Sequence, residues 1–533
     1  MAATEKNGKL RLYDTTLRDG AQGEGVWFSL ENKLDYIRAM QEWGAPYIEA
    51  GWPGANPRDD ELFAALRAEG AFRRPGRIVA FGSTCKAGTR AEESPLLKSL
   101  IASGAETITI FGKSWELHVR EVLRADEAEN LRLIRSSVEF LTRSGLEVFF
   151  DAEHFFDGWK ENRDFVWRVL EAALAGGARG VVLCDTNGGA LPAEVERGVR
   201  ETLTAFAPPV LGIHTHNDGG LAVANTLAAV AAGATQLHCC WNGYGERCGN
   251  ANLGTLVSLL QLKMGYELIS PEQAERLSYM SRYAAELANA FFDERQPFLG
   301  RSAFAHKAGT HADAVLKDSR TFEHIDPALV GNTRRILISE QSGRAGLWER
   351  MRRLRPDIGK DHPCVEEAMR RIKAKENEGY QFEAAEGSLD LLLLRVLGAE
   401  TEPFTLEDYH VWSDPARGEL DSVAVVKVKV GGESLHLAAE GDGPVNALDR
   451  ALRRTLAAFF PALERSELID YKVRVLDGSR GTGAQVRVLA ETRFGLAKWG
   501  TVGVSANILR ASAGALLDAL YVVILRDQGS LCC

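Results

Sequence analysis

The sequence contains no Cys-X-X-Cys pair, which excludes a zinc ribbon or a thioredoxin-like redox centre on spacing alone. Its eight cysteines, at 85, 184, 239, 240, 248, 364, 532 and 533, lack the dense spacing of a disulfide framework. A reducing cytoplasm is therefore the expected compartment. The opening residues, MAATEKNGKL, have no apolar signal core, and no apolar run is expected to approach the roughly 20 residues of a membrane span. Positive charge is also short: 63 Lys and Arg face 73 Asp and Glu, for a net charge of -10. Nucleic acid and anionic membrane would both repel such a chain, so neither is an expected partner, and small-molecule chemistry is.

What is present is a soluble composition, 45% hydrophobic and 26% charged over 533 residues, too long for one ordinary core. Two or three domains are expected. From Lys9 to about Gln261 eight β-rich runs (KLRLYD, PYIEAGW, RIVAFGS, TITIFGK, LEVFFDAE, RGVVLCDT, VLGIHTH and TQLHCCW) alternate with segments of helical spacing, such as Leu34, Ile37 and Met40. Eight βα units predict an α/β fold, a closed (β/α)₈ TIM barrel of about 250 residues. An open doubly wound sheet is the alternative that alternation leaves.

The expected boundaries are a catalytic barrel over 1–270, a helical linker with a loop-like stretch, PFLGRSAFAHKAGTHADAV, over 271–388, and a C-terminal domain over 389–533. That last region contains a repeat. Tyr409-His410-Val411 and Tyr471-Lys472-Val473 each lead into an alternating strand, AVVKVKV or AQVRVLA, and then into a helix, NALDRALRRTL or SAGALLDAL. Two such copies predict one symmetric α+β unit, regulatory or dimerising.

Active sites of such barrels lie at the C-terminal ends of the strands. Those ends carry Asp14 to Asp19, Asp151 to His154, Asp185 to Asn187, His214 to Asp218, and the loop GYGERCGNA, residues 243 to 251. His214 and His216, two apart on a strand, point the same way. Asp19 from strand one, which also flanks strand eight, and the amide oxygen of Asn250 complete a mixed nitrogen and oxygen set suited to Mn²⁺, Mg²⁺ or Zn²⁺. Such a metal would chelate a 2-oxo acid and polarise its carbonyl. Arg18 would stabilise the developing oxyanion, unless it is only the partner of Asp14 or Glu49. Thr186 would donate to the substrate carboxylate or cap the next helix. Phe111, Trp115 and Phe149 would narrow the pocket.

DTTLRDGAQ, HTHND and GYGERCGNA, in this order, resemble the family of 2-isopropylmalate, homocitrate and citramalate synthases, and the resemblance continues through FAHKAGTHAD into the C-terminal repeat. IFGKSWELHV, FAHKAGTHADAV and HIDPALVGN are most similar to the branch of the family that uses pyruvate. The resemblance implies an acyltransferase that condenses acetyl-CoA with a 2-oxo acid, here pyruvate, at a divalent metal. It implies Arg18, Gln22 and Thr186 as substrate-binding residues, and Arg18, Glu153 and His311 as catalytic ones, with His306 the alternative base. It further implies a homodimer, because His311 lies outside the barrel in sequence, and an end-product effector, isoleucine, on the C-terminal domain. A 2-oxoisovalerate acceptor in leucine synthesis is the alternative. A lyase or aldolase, which would use Cys248 as its reactive loop thiol, is a further one.

Overall fold

Each β-rich run becomes one short parallel strand: β1 (Arg11–Asp14), β2 (Tyr47–Gly51), β3 (Arg77–Ser83), β4 (Thr107–Lys113), β5 (Glu147–Glu153), β6 (Gly180–Asp185), β7 (Leu211–Thr215) and β8 (Gln236–Cys239). They hydrogen-bond in sequence order, and β1 closes on β8 with Asp14 opposite Cys239, so the sheet is a barrel and not the open alternative. The computed structural model describes residues 10–307, 309–338, 343–414, 422–495 and 497–531. They fall into two units, Met1–Phe304 with Ile325–Arg334, and Ala305–His324 with Arg335–Cys533.

The barrel helices bury the faces their spacing predicts. Ile37 and Met40 are buried on the helix Leu30–Trp43, which Ser29 caps by accepting from Asn32 N. Ile134 and Val138 are buried on the helix Glu127–Arg143, capped by Asp126. Inside the barrel, strand alternation sorts side chains into layers. The lower layer is apolar and aromatic: Tyr13, Tyr47, Val79 and Phe149 pack together with Val210. Phe149 therefore sits one layer beneath the mouth and does not narrow the pocket as expected, because the strand's next inward positions, Asp151 and Glu153, stand above it. Trp115 is not a wall of that pocket either; its ring stacks on His118, 5.4 Å between centroids.

The second unit carries the repeat. Strands Thr405–Ser413, Ser422–Val430 and Glu433–Gly441 form one antiparallel sheet followed by the helix Pro444–Leu456. Strands Ser466–Val475, Val486–Phe494 and Ala497–Ser505 form a second, followed by the helix Ile508–Asp527. Even the irregularity recurs, for the pairing slips after Leu406 in one sheet and after Leu468 in the other.

The helix Ile508–Asp527 corrects one expectation. By length and composition it is apolar enough to cross a membrane, although Asp518 and interspersed small residues hide this from a reading of uninterrupted apolar runs. Its apolar residues, Leu516, Leu520, Val522, Val523 and Ile524 among them, are buried in the core of the second unit, as in the core helix of a water-soluble domain.

Asp518 is the exception on that helix. It accepts from Ser388 Oγ at 2.6 Å, and burial pushes its carboxyl from 3.8 up to about 6. The unfolded chain loses this proton first, so between 3.8 and about 6 stability falls as pH rises, and the cost is complete above about 6. Two pH units correspond to at most about 3 kcal/mol. Asp518→Asn keeps an acceptor for Ser388 and removes the ionisation. Denaturation midpoints are expected to rise for the variant well above pH 6 and to match the parent near pH 3.8; an equal gain at both pH values would contradict this account.

Candidate functional site

The site begins with Asp14, which does not line the mouth. Its buried carboxylate accepts from Thr16 N at 3.1 Å, from Thr16 Oγ at 2.5 Å and from Tyr36 OH at 2.7 Å. Burial nevertheless holds its pKa up at about 6. Thr16 Oγ in turn accepts from Trp241 N at 2.9 Å, which ties the exit of β1 to that of β8. Arg18 N and Gly20 N then both donate to Thr15 O. The turn they close sets Arg18 and Asp19 among the residues that line the barrel mouth.

Arg18 is gripped from two sides: Nε donates to Glu49 Oε1 at 2.6 Å and Nη1 to Asp19 Oδ1 at 2.8 Å. Its guanidinium lies 3.7 Å over the Phe81 ring. Burial works against its charge, but Glu49 and Asp19 outweigh that, and the pKa is raised. Glu49, and not Asp14, is therefore its partner from the neighbouring strand, and Arg18 still lines the cavity.

Three ligand atoms converge beside it. His214 Nε2 is 3.3 Å and His216 Nε2 3.4 Å from Asp19 Oδ2, and the two imidazole nitrogens are 3.1 Å apart. Triangles of this size match the spacing of ligands that each lie about 2.0–2.2 Å from one small divalent cation. Burial opposes ionisation of Asp19, yet Arg18 and the two histidines hold its carboxyl well below the usual range, so it is a carboxylate. Burial keeps His214 below its ordinary value and thus neutral, the form that binds metal.

Asn250 is in place, with one difference from expectation. Its amide nitrogen, not its oxygen, meets Asp19 Oδ2, at 2.5 Å, and Oδ1 is buried without a hydrogen-bond partner. A half-turn of the amide would present the oxygen to the cluster. The donor set and this orphaned oxygen fit a hard or borderline cation.

The loop GYGERCGNA has the shape its glycines permit. Gly249 has φ +86°, and a Cβ there would lie 1.9 Å from Gly243 O. Asn250 N donates to Gly243 O, and Asn217 N to Gly249 O, which seals the loop against β7. Arg247, also at positive φ, donates to Thr186 O at 2.7 Å, to Asp218 Oδ1 at 2.7 Å and to His216 Nδ1 at 2.8 Å. Behind the other ligand, His238 Nδ1 stands 3.4 Å from His214 Nδ1.

The cluster opens into a cavity of about 220 Å³ whose walls include Arg18, Gln22, Trp52, Phe81, Phe111 and Thr186. Trp52, Phe81 and Phe111 pack mutually, with centroids 5.6 Å apart. Thr186 Oγ accepts from His154 N at 2.8 Å and so keeps its own proton to donate. Glu153 reaches the same cavity with Lys113 Nζ 2.5 Å from its Oε2. His311 and His306 belong to the second unit. His311 is exposed on the helix Gly309–Lys317, its ring stacked on Phe322 at 4.2 Å, and His306 Nε2 is 3.1 Å from Glu323 Oε1. Sequence reasoning missed Trp52 and Phe81 as cavity walls, and Arg247 and His238 behind the ligands. Counting two residues back from the end of β3, Ser83, would have found Phe81.

Comparison with known proteins agrees with this layout. The HMGL-like family matches residues 9–274, the homocitrate synthase post-HMGL domain-like family residues 298–379, and the LeuA allosteric (dimerisation) domain residues 383–524. An (R)-citramalate synthase from Aquifex aeolicus is 46% identical, covering 98% of each chain, and one from Geobacter sulfurreducens is 45% identical, covering 97% of this chain and 98% of its own. A 2-isopropylmalate synthase from Carboxydothermus hydrogenoformans is 31% identical over 98% of both. With a barrel mouth of this chemistry and relatives that match from end to end, the chain belongs to the family of 2-isopropylmalate, homocitrate and citramalate synthases.

Proposed function

We propose that this enzyme is a citramalate synthase, which condenses acetyl-CoA with pyruvate and releases CoA. The carrying observation is the convergence of Asp19, His214 and His216 beside Arg18 in a cavity small enough for a short 2-oxo acid. The full-length likeness to (R)-citramalate synthases supports it. A divalent cation, Mn²⁺, Mg²⁺ or Zn²⁺, held by Asp19, His214, His216 and the turned amide of Asn250, would polarise the acceptor carbonyl.

The protein's own groups do the rest. Arg18 keeps Nη2 for the oxygen that gains charge, while Thr186 and Gln22 hold the carboxylate end. Trp52, Phe81 and Phe111 enclose the methyl, and a branched acceptor meets the same rings, so acceptor size is set there. Glu153 and His311 are assigned to proton transfer at the acetyl methyl, with His311 brought to a barrel in a homodimer. A barrel to about 270, a linker to about 388 and a regulatory domain beyond belong to the same reading, as does a cytoplasmic location. The described cysteines are all free thiols, as a reducing compartment requires.

A panel of 2-oxo acids with acetyl-CoA, followed by free CoA release, is expected to give its highest kcat/KM with pyruvate. Preference for 2-oxoisovalerate would move the activity to 2-isopropylmalate synthesis. His216→Ala is expected to lose bound metal and turnover together, measured by equilibrium dialysis and CoA release. A variant that kept stoichiometric metal and full rate would remove His216 from the ligand set.

The regulatory reading rests on the strand-to-helix turns at 440–446 and 499–507, which occupy equivalent places in the two copies. Isoleucine is expected to inhibit the full chain and to leave a dimeric form ending near Glu386 unaffected, with a coupling of about 1–3 kcal/mol. Equal sensitivity of both forms would place the effector elsewhere.

A further inference from the structure

One buried carboxyl at the mouth has no role in the reading above. Asp151 projects inward from β5, 4% exposed, into the cavity that Arg18, Asp19, His214 and His216 line. The charged and titratable groups facing it are Tyr13, Arg18, Asp19, Glu49, Glu153 and Cys184, with His214 and His216 lining the same cavity. Three of these are carboxyls, and each already has a cation. Glu49 and Asp19 share Arg18, whose Nε and Nη1 they occupy, and Glu153 has Lys113. Among the described residues Asp151 forms no ion pair, and its Oδ1 is buried with no hydrogen-bond partner.

An unpaired carboxylate buried among other carboxylates is far costlier than the neutral acid. Burial first, and Glu49 next, push the Asp151 carboxyl well above the usual carboxylate range. A neutral carboxyl has one O–H to donate and needs an acceptor. Tyr13 OH and Thr109 Oγ, in the layer below, are already bonded to each other, and Tyr13 also to Glu49. Among the described residues none bonds Oδ1, so an acceptor that a ligand brings into the cavity can take this hydrogen bond. Carboxylic acids kept neutral by their surroundings serve other enzymes as hydrogen-bond donors to a developing oxyanion.

We propose that Asp151 is a further catalytic residue, a carboxylic acid whose O–H donates to the keto oxygen of the bound 2-oxo acid and whose proton passes to that oxygen during condensation. This rests on the citramalate synthase reading. As the electron pair of the thioester enolate forms the new carbon–carbon bond, the π pair of the ketone moves to its oxygen. That oxygen takes the Asp151 proton and becomes the tertiary hydroxyl. Asp151 is left as a carboxylate and is reprotonated from water before the next turnover. Arg18 stabilises negative charge on the same oxygen but cannot yield a proton, so the two are not redundant.

Asp151→Asn tests this, because it keeps the shape and an N–H donor but has no proton to transfer. With acetyl-CoA and pyruvate, kcat is expected to fall by about 10²–10⁴-fold, with KM for pyruvate changed little and Mg²⁺ binding by dialysis unchanged. The parent is expected to lose kcat on the alkaline side as Asp151 ionises, and the variant to lack that limb.

Infrared difference spectra of parent against variant give a readout independent of turnover. The parent is expected to show a protonated-carboxyl carbonyl band at neutral pH that Asp151→Asn lacks. A cation at Asp19 favours the carboxylate, so the band must persist with saturating Mg²⁺. A kcat within a few-fold of the parent with the alkaline limb retained, or no such band, overturns the proposal. If Asp151→Asn fails to fold, the band in the parent, lost at alkaline pH in step with kcat, decides. Should the parent release no CoA with any 2-oxo acid, the citramalate synthase reading fails, whereas an active parent with an indifferent variant removes Asp151 alone.

Discussion

The architecture of the mouth depends on one buried cation. Arg18 is almost enclosed, and a guanidinium there without partners would cost several kcal/mol. Glu49 below and Asp19 beside it offset that cost, and each of these carboxylates needs Arg18 to remain charged in turn. The consequences run outward. Asp19 stays anionic and can face the two imidazoles, Glu49 fixes the hydroxyl of Tyr13, and Asp151 is left without an ion-pair partner among the described side chains. The unequal treatment of four neighbouring carboxyls thus follows from the supply of a single guanidinium and one lysine.

The fold was legible because barrel strands and helices have different hydrophobic periods, and because β1, β5, β6 and β7 each ended in polar residues. The metal-ligating spacing was equally visible, since two histidines two residues apart on a strand cannot face opposite ways. Less visible was anything set by depth. Asp14 and Asp19 are alike in the quoted motif, yet one anchors a turn beneath the mouth and the other joins the cluster. Phe149 and Phe111 read alike as well, but β4 and β5 pair from Thr107 opposite Glu147, so Phe149 stands level with Thr109, one inward layer below Phe111, and only Phe111 reaches the cavity. Layer depends on strand tilt and register between neighbours, which no single strand's sequence carries. The helix around SAGALLDAL was legible, but the apolar length of Ile508–Asp527 was not, because Asp518 breaks the run that the eye counts.

The contacts behind the ligands explain why GYGERCGNA needs its unusual backbone. Arg247 has to bond Thr186 O, Asp218 and His216 Nδ1 at once, and a helix or a strand could not aim it across the exits of β6 and β7 together. Gly249 lets the chain turn sharply enough to return Asn250 to the cluster. Three strand exits are therefore held by one loop, so the positions of the ligands are not independent of one another.

The pairing slips after Leu406 and after Leu468 lie at matching places in two sheets of the same strand order. An extra residue in a strand sharpens its coil and redirects every side chain beyond it. Two sheets that share this defect share their curvature, and each can seat the helix that follows it in the same way. Such a defect is hard to reach twice by chance, so the pair reads as one ancestral module copied in tandem. The halves now differ: the first ends in a short helix with a charged outer face, Pro444–Leu456, and the second in the long apolar helix Ile508–Asp527, and both pack into one core. A symmetric ancestor would have had to meet both demands with a single sequence.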